Sequence, residues 1–210
     1  MPLNTGIGKQ YSQADLYLQR GTVIDGFTRA NNATYPGRAD SGQSWYPYQG
    51  TWGISSNQLY SASDATNDLL FLDSFTNNPT IQCTISGTLN SATIYRLPCL
   101  IFCGLDNSNF LQLNLLNGAI NLSKTDAGTN TVLSTTATTT ADGTNYTLKV
   151  IKDGLSITVL KNGTSLISHT LASANFKYLQ WTKVGCLLLK AGAPATAARW
   201  SSYTCVETAH

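Results

Sequence analysis

Charged residues are scarce in this sequence of 210 residues. Lys and Arg number 13 and Asp and Glu number 11, so charged residues make up 11% of the chain, far below the roughly one quarter that is usual. The positive residues are scattered singly and the net charge is only +2, whereas nucleic-acid binding needs a clustered basic patch. We therefore expect no nucleic-acid partner and a weakly charged surface of small polar residues.

Side chains that perform acid–base chemistry are also few. Glu207 is the single glutamate, and His169 and His210 are the two histidines. Glycoside hydrolysis uses two facing carboxyl groups, and triad chemistry requires a histidine beside the nucleophile. No close pair of aspartates lies on a clear strand, and no glycine-rich phosphate loop with a lysine occurs. The sequence therefore predicts a protein that is not an enzyme, with no catalytic residue and no cofactor.

Long apolar runs and a regular cysteine pattern are missing as well. No run approaches the ~20 residues of a membrane helix, so we expect no membrane insertion. MPLNTGIGKQYSQADLYLQR, at the N-terminus, lacks the apolar segment of a signal peptide, so we expect synthesis in the cytoplasm. The five cysteines are odd in number and irregularly spaced, which argues against a disulfide framework. Cys99 and Cys103 fit no common zinc pattern and are predicted to be small buried apolar side chains.

Turn dipeptides divide most of the chain into short strands. In FLQLNLLNGAINLSK, leucines alternate with polar residues, and Asn117-Gly118 predicts a type I′ hairpin turn. YTLKVIKDGLSITVLKNGTSLISHTL reads as a three-stranded meander whose second turn is Asn162-Gly163. The Thr-rich segment between these two stretches is predicted to be a solvated loop or an edge strand.

These patterns together predict the fold class. No stretch combines a helical apolar period with caps, so we expect almost no helix. Many short strands separated by turns indicate an all-β, two-sheet antiparallel jelly-roll sandwich. Residues 20–206 are predicted to form this sandwich, residues 1–19 an extended N-terminal arm for anchoring or assembly, and residues 207–210 a C-terminal tail.

The order of several motifs resembles the concanavalin A-like, or laminin G-like, jelly-roll domain, notably versions found in bacteriophage virion proteins. The motifs are IDGFTRAN, SGQSW, GTWGISSNQLY, CLIFCGLDNSNFLQLNLLNGAINLSK, DGTNYTLKVIKDGLSITVLKNGTSL, VGCLLL and ARWSSYTC. The resemblance covers about residues 20–206. It is specific for the fold rather than the function, because this fold carries lectins, hydrolases and structural modules. The E-x-D-x-E strand of laminarinase-type hydrolases has no counterpart here.

The resemblance implies two functions that remain open at this point. The first is a non-enzymatic virion structural protein, displayed on the particle surface as a capsid decoration subunit. Its partners would be the major capsid protein or other virion proteins, contacted through the arm, and it is expected to be a homo-oligomer. The alternative is a tail-associated receptor-binding protein or a free carbohydrate-binding, lectin-like module that recognises a cell-surface glycan.

The aromatic residues divide into core and candidate ligand-binding positions. The resemblance places one group in or near the core: Phe27, Trp45, Trp52 and Trp200. Tyr46 and Tyr48 flank Pro47 on a predicted loop, where contact with a ligand is more common than in a core. With Trp181, in KYLQWTK, they are the candidate glycan-binding residues, although Trp181 could equally pack against the end of the sandwich.

Oxygen-rich turns are a further kind of candidate ligand site, here for calcium. GLDNSN offers Asp106, Asn107 and Asn109, and TNDLLFLD offers Asp68 and Asp73. Neither matches a calcium loop, and Asp-Asn turns commonly hydrogen-bond their own backbone instead. The sequence therefore predicts no metal site.

Overall fold

The computed structural model describes residues 21–62, 67–87, 89, 95–191 and 198–209. Within these residues the chain forms fifteen strands and one 3₁₀ helix, arranged as two antiparallel sheets. The predicted all-β jelly-roll sandwich is therefore confirmed, as is the near absence of helix. The predicted arm, residues 1–19, lies outside the described residues. The last strand ends at Glu207.

The first sheet has eight strands. Seven of them follow one another in hydrogen-bonded order, and the eighth, β1, pairs with β15. The seven strands in hydrogen-bonded order are β13 (Thr164–Thr170), β12 (Ser156–Lys161), β11 (Tyr146–Asp153), β6 (Pro79–Ser86), β15 (Arg199–Glu207), β4 (Gln58–Ser61) and β3 (Trp52–Ser55). Strand β1 covers Val23–Asp25.

The second sheet has seven strands and carries most of the features discussed below. In spatial order they are β10 (Thr129–Ala137), β9 (Ala119–Asp126), β8 (Asn109–Leu116), β7 (Tyr95–Asp106), β14 (Lys183–Ala191), β5 (Asp68–Asp73) and β2 (Tyr46–Gln49). The 3₁₀ helix, Ser173–Leu179, connects β13 of the first sheet to β14 of the second. None of the helical structure in the described ranges has the length and apolar character needed to cross a bilayer.

The hairpins follow the predicted dipeptides, with one difference in turn geometry. Asn162 and Gly163 both have positive φ, as a type I′ turn requires. At Asn117-Gly118 the hairpin forms, but only Gly118 has positive φ, so the predicted type I′ turn is wrong there. Thr140 Oγ1 accepts a hydrogen bond from the Gly118 amide at 2.7 Å, and this contact from outside the hairpin helps to hold the turn. The Thr-rich segment contributes edge strand β10.

The main core lies between the sheets and contains the aromatic side chains assigned to it. Phe27, Trp45, Trp52 and Trp200 are all fully buried. Trp52 and Trp200 pack against each other with ring centroids 5.3 Å apart. All five cysteines are free and buried, which confirms the prediction made for Cys99 and Cys103.

Candidate functional site

The seven-stranded sheet is apolar on both faces along its central strands. On β5, Leu70 and Leu72 belong to the main core, whereas Leu69 and Phe71 point the opposite way, since side chains alternate along a strand. The same alternation on β7 and β14 produces a second apolar cluster on the face turned away from the first sheet. Its buried members are Leu69, Phe71, Cys99, Ile101, Phe110 and Leu187. We call this side of the sheet the outer face.

On β8 and β9 the outer face carries polar side chains. Ile101 of β7 lies opposite Gln112, which lies opposite Ser123. One row further, Asn114 lies opposite Asn121. Directly paired residues share a face, so amides and a hydroxyl form a block beside the apolar cluster. Gln112 is only 3% exposed and Ser123 is fully buried although both face away from the main core, so this part of the face is recessed.

A pocket of about 350 Å³ opens on the outer face where the apolar and polar blocks meet. The lining residues that carry the argument are Phe110, Gln112, Asn114, Thr125, Asn130 and Leu187. None of the described residues lining the pocket is an Asp, Glu, Lys, Arg or His. The pocket therefore offers amide and hydroxyl groups beside apolar surface, without a formal charge among those residues.

Some polar atoms in the block have no hydrogen-bond partner within the described part of the chain. They are Asn114 Oδ1, Asn121 Oδ1 and Ser123 Oγ. Asn114 is 5% exposed and lines the pocket. Buried polar atoms in proteins are nearly always hydrogen-bonded, so an unpartnered amide oxygen in a residue that lines a pocket makes that side chain a candidate acceptor for a donor. A ligand hydroxyl supplies such a donor.

Tyr46 and Tyr48, the tyrosines singled out from the sequence, lie on edge strand β2 next to this face. The predicted loop is therefore wrong, because the residues around Pro47 pair with β5. Tyr46 is 64% exposed and Tyr48 is 44% exposed. The Tyr48 ring contacts the Phe71 ring edge-to-face with centroids 6.3 Å apart, and Phe71 contacts Phe110 at the same distance. The structure therefore joins both tyrosines to the pocket through aromatic contacts. Ligand binding by them stays a prediction.

Trp181 lies apart from these residues. It is half-buried, packs edge-to-face on Tyr178 with centroids 4.9 Å apart, and contacts the main core. Lys177 Nζ lies 6.0 Å from its ring centroid. Trp181 is not among the described residues that line the pocket. Its contacts agree with packing, and ligand binding by Trp181 stays a prediction.

The carboxylates considered for calcium are engaged by nearby groups. Asp106 Oδ1 accepts hydrogen bonds from the Ser108 amide at 2.8 Å and from Asn109 Nδ2 at 2.9 Å. Asp68 forms a buried ion pair with Lys190. Among the described residues no three His, Cys, Asp or Glu side chains come together as metal ligands.

The pocket residues on β8 and β9 were missed by the sequence reasoning. Alternation in LQLNLL places Gln112 and Asn114 on the face opposite the leucines, but it does not indicate that this face is recessed. A usable signal lay in LLFL, CLIFC and CLLL, which are continuous apolar runs. Strands that are apolar throughout are buried on both faces, so their outer side must be covered or recessed.

The chain has the same fold as known carbohydrate-binding proteins. A carbohydrate-binding module, CBM66 from Bacillus subtilis, matches with a TM-score of 0.62 and 14% identity, over 84% of this chain and 98% of that one. The exoplasmic/lumenal domain of VIP36, in a Ca2+/Man-bound form, matches with a TM-score of 0.58 and 11% identity, over 81% and 86%. No protein-family model matches the sequence, and no curated protein does.

Enzyme-related structures share the fold too. One comes from work on endo-acting O-glycanases that prominent members of the human gut microbiota express to initiate mucin breakdown. It matches with a TM-score of 0.61 and 9% identity, over 89% of this chain and 98% of that one. At these identities the similarity shows a shared lectin-like jelly roll, and function has to be argued from the residues of this chain.

Proposed function

We propose that this protein binds an uncharged carbohydrate in the pocket on the outer face and does not cleave it. The observation that carries the proposal is the unpartnered Oδ1 of Asn114, a buried residue that lines a pocket whose described lining is uncharged. Two proteins with the same fold support it, since one is a carbohydrate-binding module and the other is recorded in a Ca2+/Man-bound form.

The chemistry of the pocket suits a neutral sugar. A sugar ring has an apolar face and a rim of hydroxyls that both donate and accept hydrogen bonds. Phe110 and Leu187 provide apolar surface, while Gln112, Asn114 and Asn130 provide amide groups for the rim. Binding sites of this kind combine a largely apolar lining with a few placed polar groups. A carboxylate or sulfate on the sugar would find no cationic partner among the described lining residues.

Binding without hydrolysis is favoured by the same lining. Glycosidases of most kinds place two carboxyl groups on either side of the scissile bond. The described residues that line the pocket include neither an aspartate nor a glutamate. Glu207 lies exposed at the end of β15, which belongs to the other sheet.

A glycan array followed by calorimetric titration tests the proposal. We expect the purified chain to bind neutral glycans, and the double variant Gln112→Ala, Asn114→Ala to lose at least tenfold in affinity. No described group donates to Asn114 Oδ1, so removal of this oxygen breaks no hydrogen bond within the described residues. The melting temperature of each variant checks that the fold is retained.

Gln82→Ala is the matched control, because Gln82 is exposed on β6 of the first sheet. It should bind like the unaltered chain. Full affinity in the double variant, or a consistent preference for anionic glycans, would refute the assignment of the pocket. Release of reducing ends from a bound glycan would refute the non-enzymatic part.

We also propose that the domain is displayed on a virion surface, where glycan binding would act on a host or its surroundings. The support is the sequence resemblance to phage virion sandwiches and the weakly charged composition. Five buried free thiols suit a protein that folds in a reducing cytoplasm before assembly. Attachment through residues 1–19 and homo-oligomerisation belong to the same proposal.

A further inference from the structure

A line of aromatic rings leads from the edge of the seven-stranded sheet to the pocket. Tyr46 and Tyr48 have ring centroids 6.3 Å apart, and the line continues through Phe71 to Phe110 in two further steps of 6.3 Å. Phe110 lines the pocket, whereas Tyr46 is the most exposed member at the edge. We infer that the ligand is a chain of several sugar units lying along this line of rings. This inference rests on the proposed function.

A second pocket supports an extended ligand. It has a volume of about 290 Å³ and lies at the edge, where Tyr46, Tyr48 and Phe71 line it. Phe71 contacts Phe110 of the first pocket, so the two pockets meet across one ring pair. From β2 to β8 the outer face crosses four strand spacings, roughly 19 Å at ~4.8 Å each. That span exceeds a single sugar ring several times.

The two pockets contribute differently to recognition. The charged residues of the edge pocket are already engaged: Asp73 Oδ1 accepts from the Phe75 amide at 2.8 Å, and Lys183 Nζ donates to Leu105 O at 2.6 Å. Its exposed aromatic surface is the pair of tyrosine rings, which can cover the apolar face of many sugars. The amide pocket selects the sugar, and the tyrosines add affinity as the chain grows longer.

A size series separates the two contributions. The probes are neutral oligosaccharides of one to six units, taken from the β-1,4-linked glucose, mannose and xylose series and from a fructose series. We expect affinity for the preferred series to rise at least tenfold from one unit to six. In the double variant Tyr46→Ala, Tyr48→Ala, this rise should vanish while the affinity for one or two units stays within twofold. Tyr35→Ala is the matched control, since Tyr35 is 46% exposed and lines neither described pocket.

Each outcome decides one question. A flat length dependence in the unaltered chain, or an undiminished rise in the tyrosine double variant, overturns the extended ligand. In both cases, loss of single-unit binding in the Gln112→Ala, Asn114→Ala variant would still uphold the amide pocket. If no series binds at any length, the proposed function fails and the extended ligand fails with it.

Discussion

Asp25 shows how one residue explains a sequence motif. Its carboxylate is fully buried and accepts a bidentate pair from Arg29 at 2.7 and 2.8 Å. Trp45 Nε1 and the Phe27 amide donate to the same group at 2.6 and 2.7 Å. A charged carboxylate that is buried in an apolar setting requires hydrogen-bond donors, and these four donors supply them. The D-x-F-x-R pattern and the later tryptophan thus form one structural network, separate from the outer face.

The buried thiols make a prediction about pH. Burial raises the pKa of Cys103 and of Cys205 to about 12, and it also raises the thiol pKa values of Cys83, Cys99 and Cys186. In the unfolded chain a thiol loses its proton near a pKa of about 8.5. Above that pH the unfolded state therefore holds fewer protons than the folded state. Stability should be complete below about pH 8 and fall by about 1.4 kcal/mol per pH unit for each thiol above it.

Urea unfolding at pH 7, 8.5 and 10 in the presence of a reductant measures this dependence. In the Cys103→Ala variant, the free energy of unfolding should fall less steeply with pH above about 8.5, by the contribution of one thiol. A free energy of unfolding that is unchanged between pH 7 and 10 would contradict the prediction.

Strand β7 controls the shape of the outer face at one glycine. A β-carbon added at Gly104 would lie 3.0 Å from Phe71 Cε1, a contact that forces the ring to shift by a few tenths of an ångström. Phe71 stands between Tyr48 and Phe110 in the aromatic line. Because Gly104 has no side chain, the Phe71 ring can lie across β7. Strand β7 thereby determines where the two pockets meet.

Gly104→Ala should therefore weaken binding of long oligosaccharides severalfold and cost about 1–3 kcal/mol of stability through overpacking. Calorimetric titration and thermal unfolding measure the two effects. Gly26→Ala is the control, since its new β-carbon would make only ordinary contacts of 3.5 Å or more. Equal behaviour of the two variants would show that the Phe71 position does not matter for binding.

At the scale of the whole molecule, display on a particle makes a prediction of its own. We expect quantitative mass spectrometry of purified virions from the source to find this chain in many copies relative to the major shell protein. Deletion of residues 1–19 should abolish attachment and leave a folded domain. A handful of copies would favour a tail position, and absence of the chain would refute display and leave a free carbohydrate-binding module.

Much of the fold could be predicted from the sequence because its causes are local. Period-two alternation separates core from outer side chains within a strand, and Asn-Gly dipeptides mark hairpins by their backbone preferences. The hairpin at Asn162-Gly163 follows from these rules alone. At Asn117-Gly118 the predicted hairpin forms, but the predicted turn type is wrong. The Gly118 amide donates a hydrogen bond to Thr140, a residue outside the hairpin that the dipeptide pattern does not include.

The amino-acid sequence by itself determined an all-β sandwich, its hairpins, its aromatic core and its shortage of charge. Only the tertiary structure decided which outward side chains meet. Phe71 and Phe110 are 39 positions apart in the chain, and β14 and β7 lie between their strands in the sheet, yet their ring centroids are 6.3 Å apart. The alternation of residues along β8 predicts that Gln112 and Asn114 face away from the main core. The recess that buries them depends on how the seven strands of the sheet pack together. Strand order and sheet shape are long-range properties, so the candidate site emerges only in three dimensions.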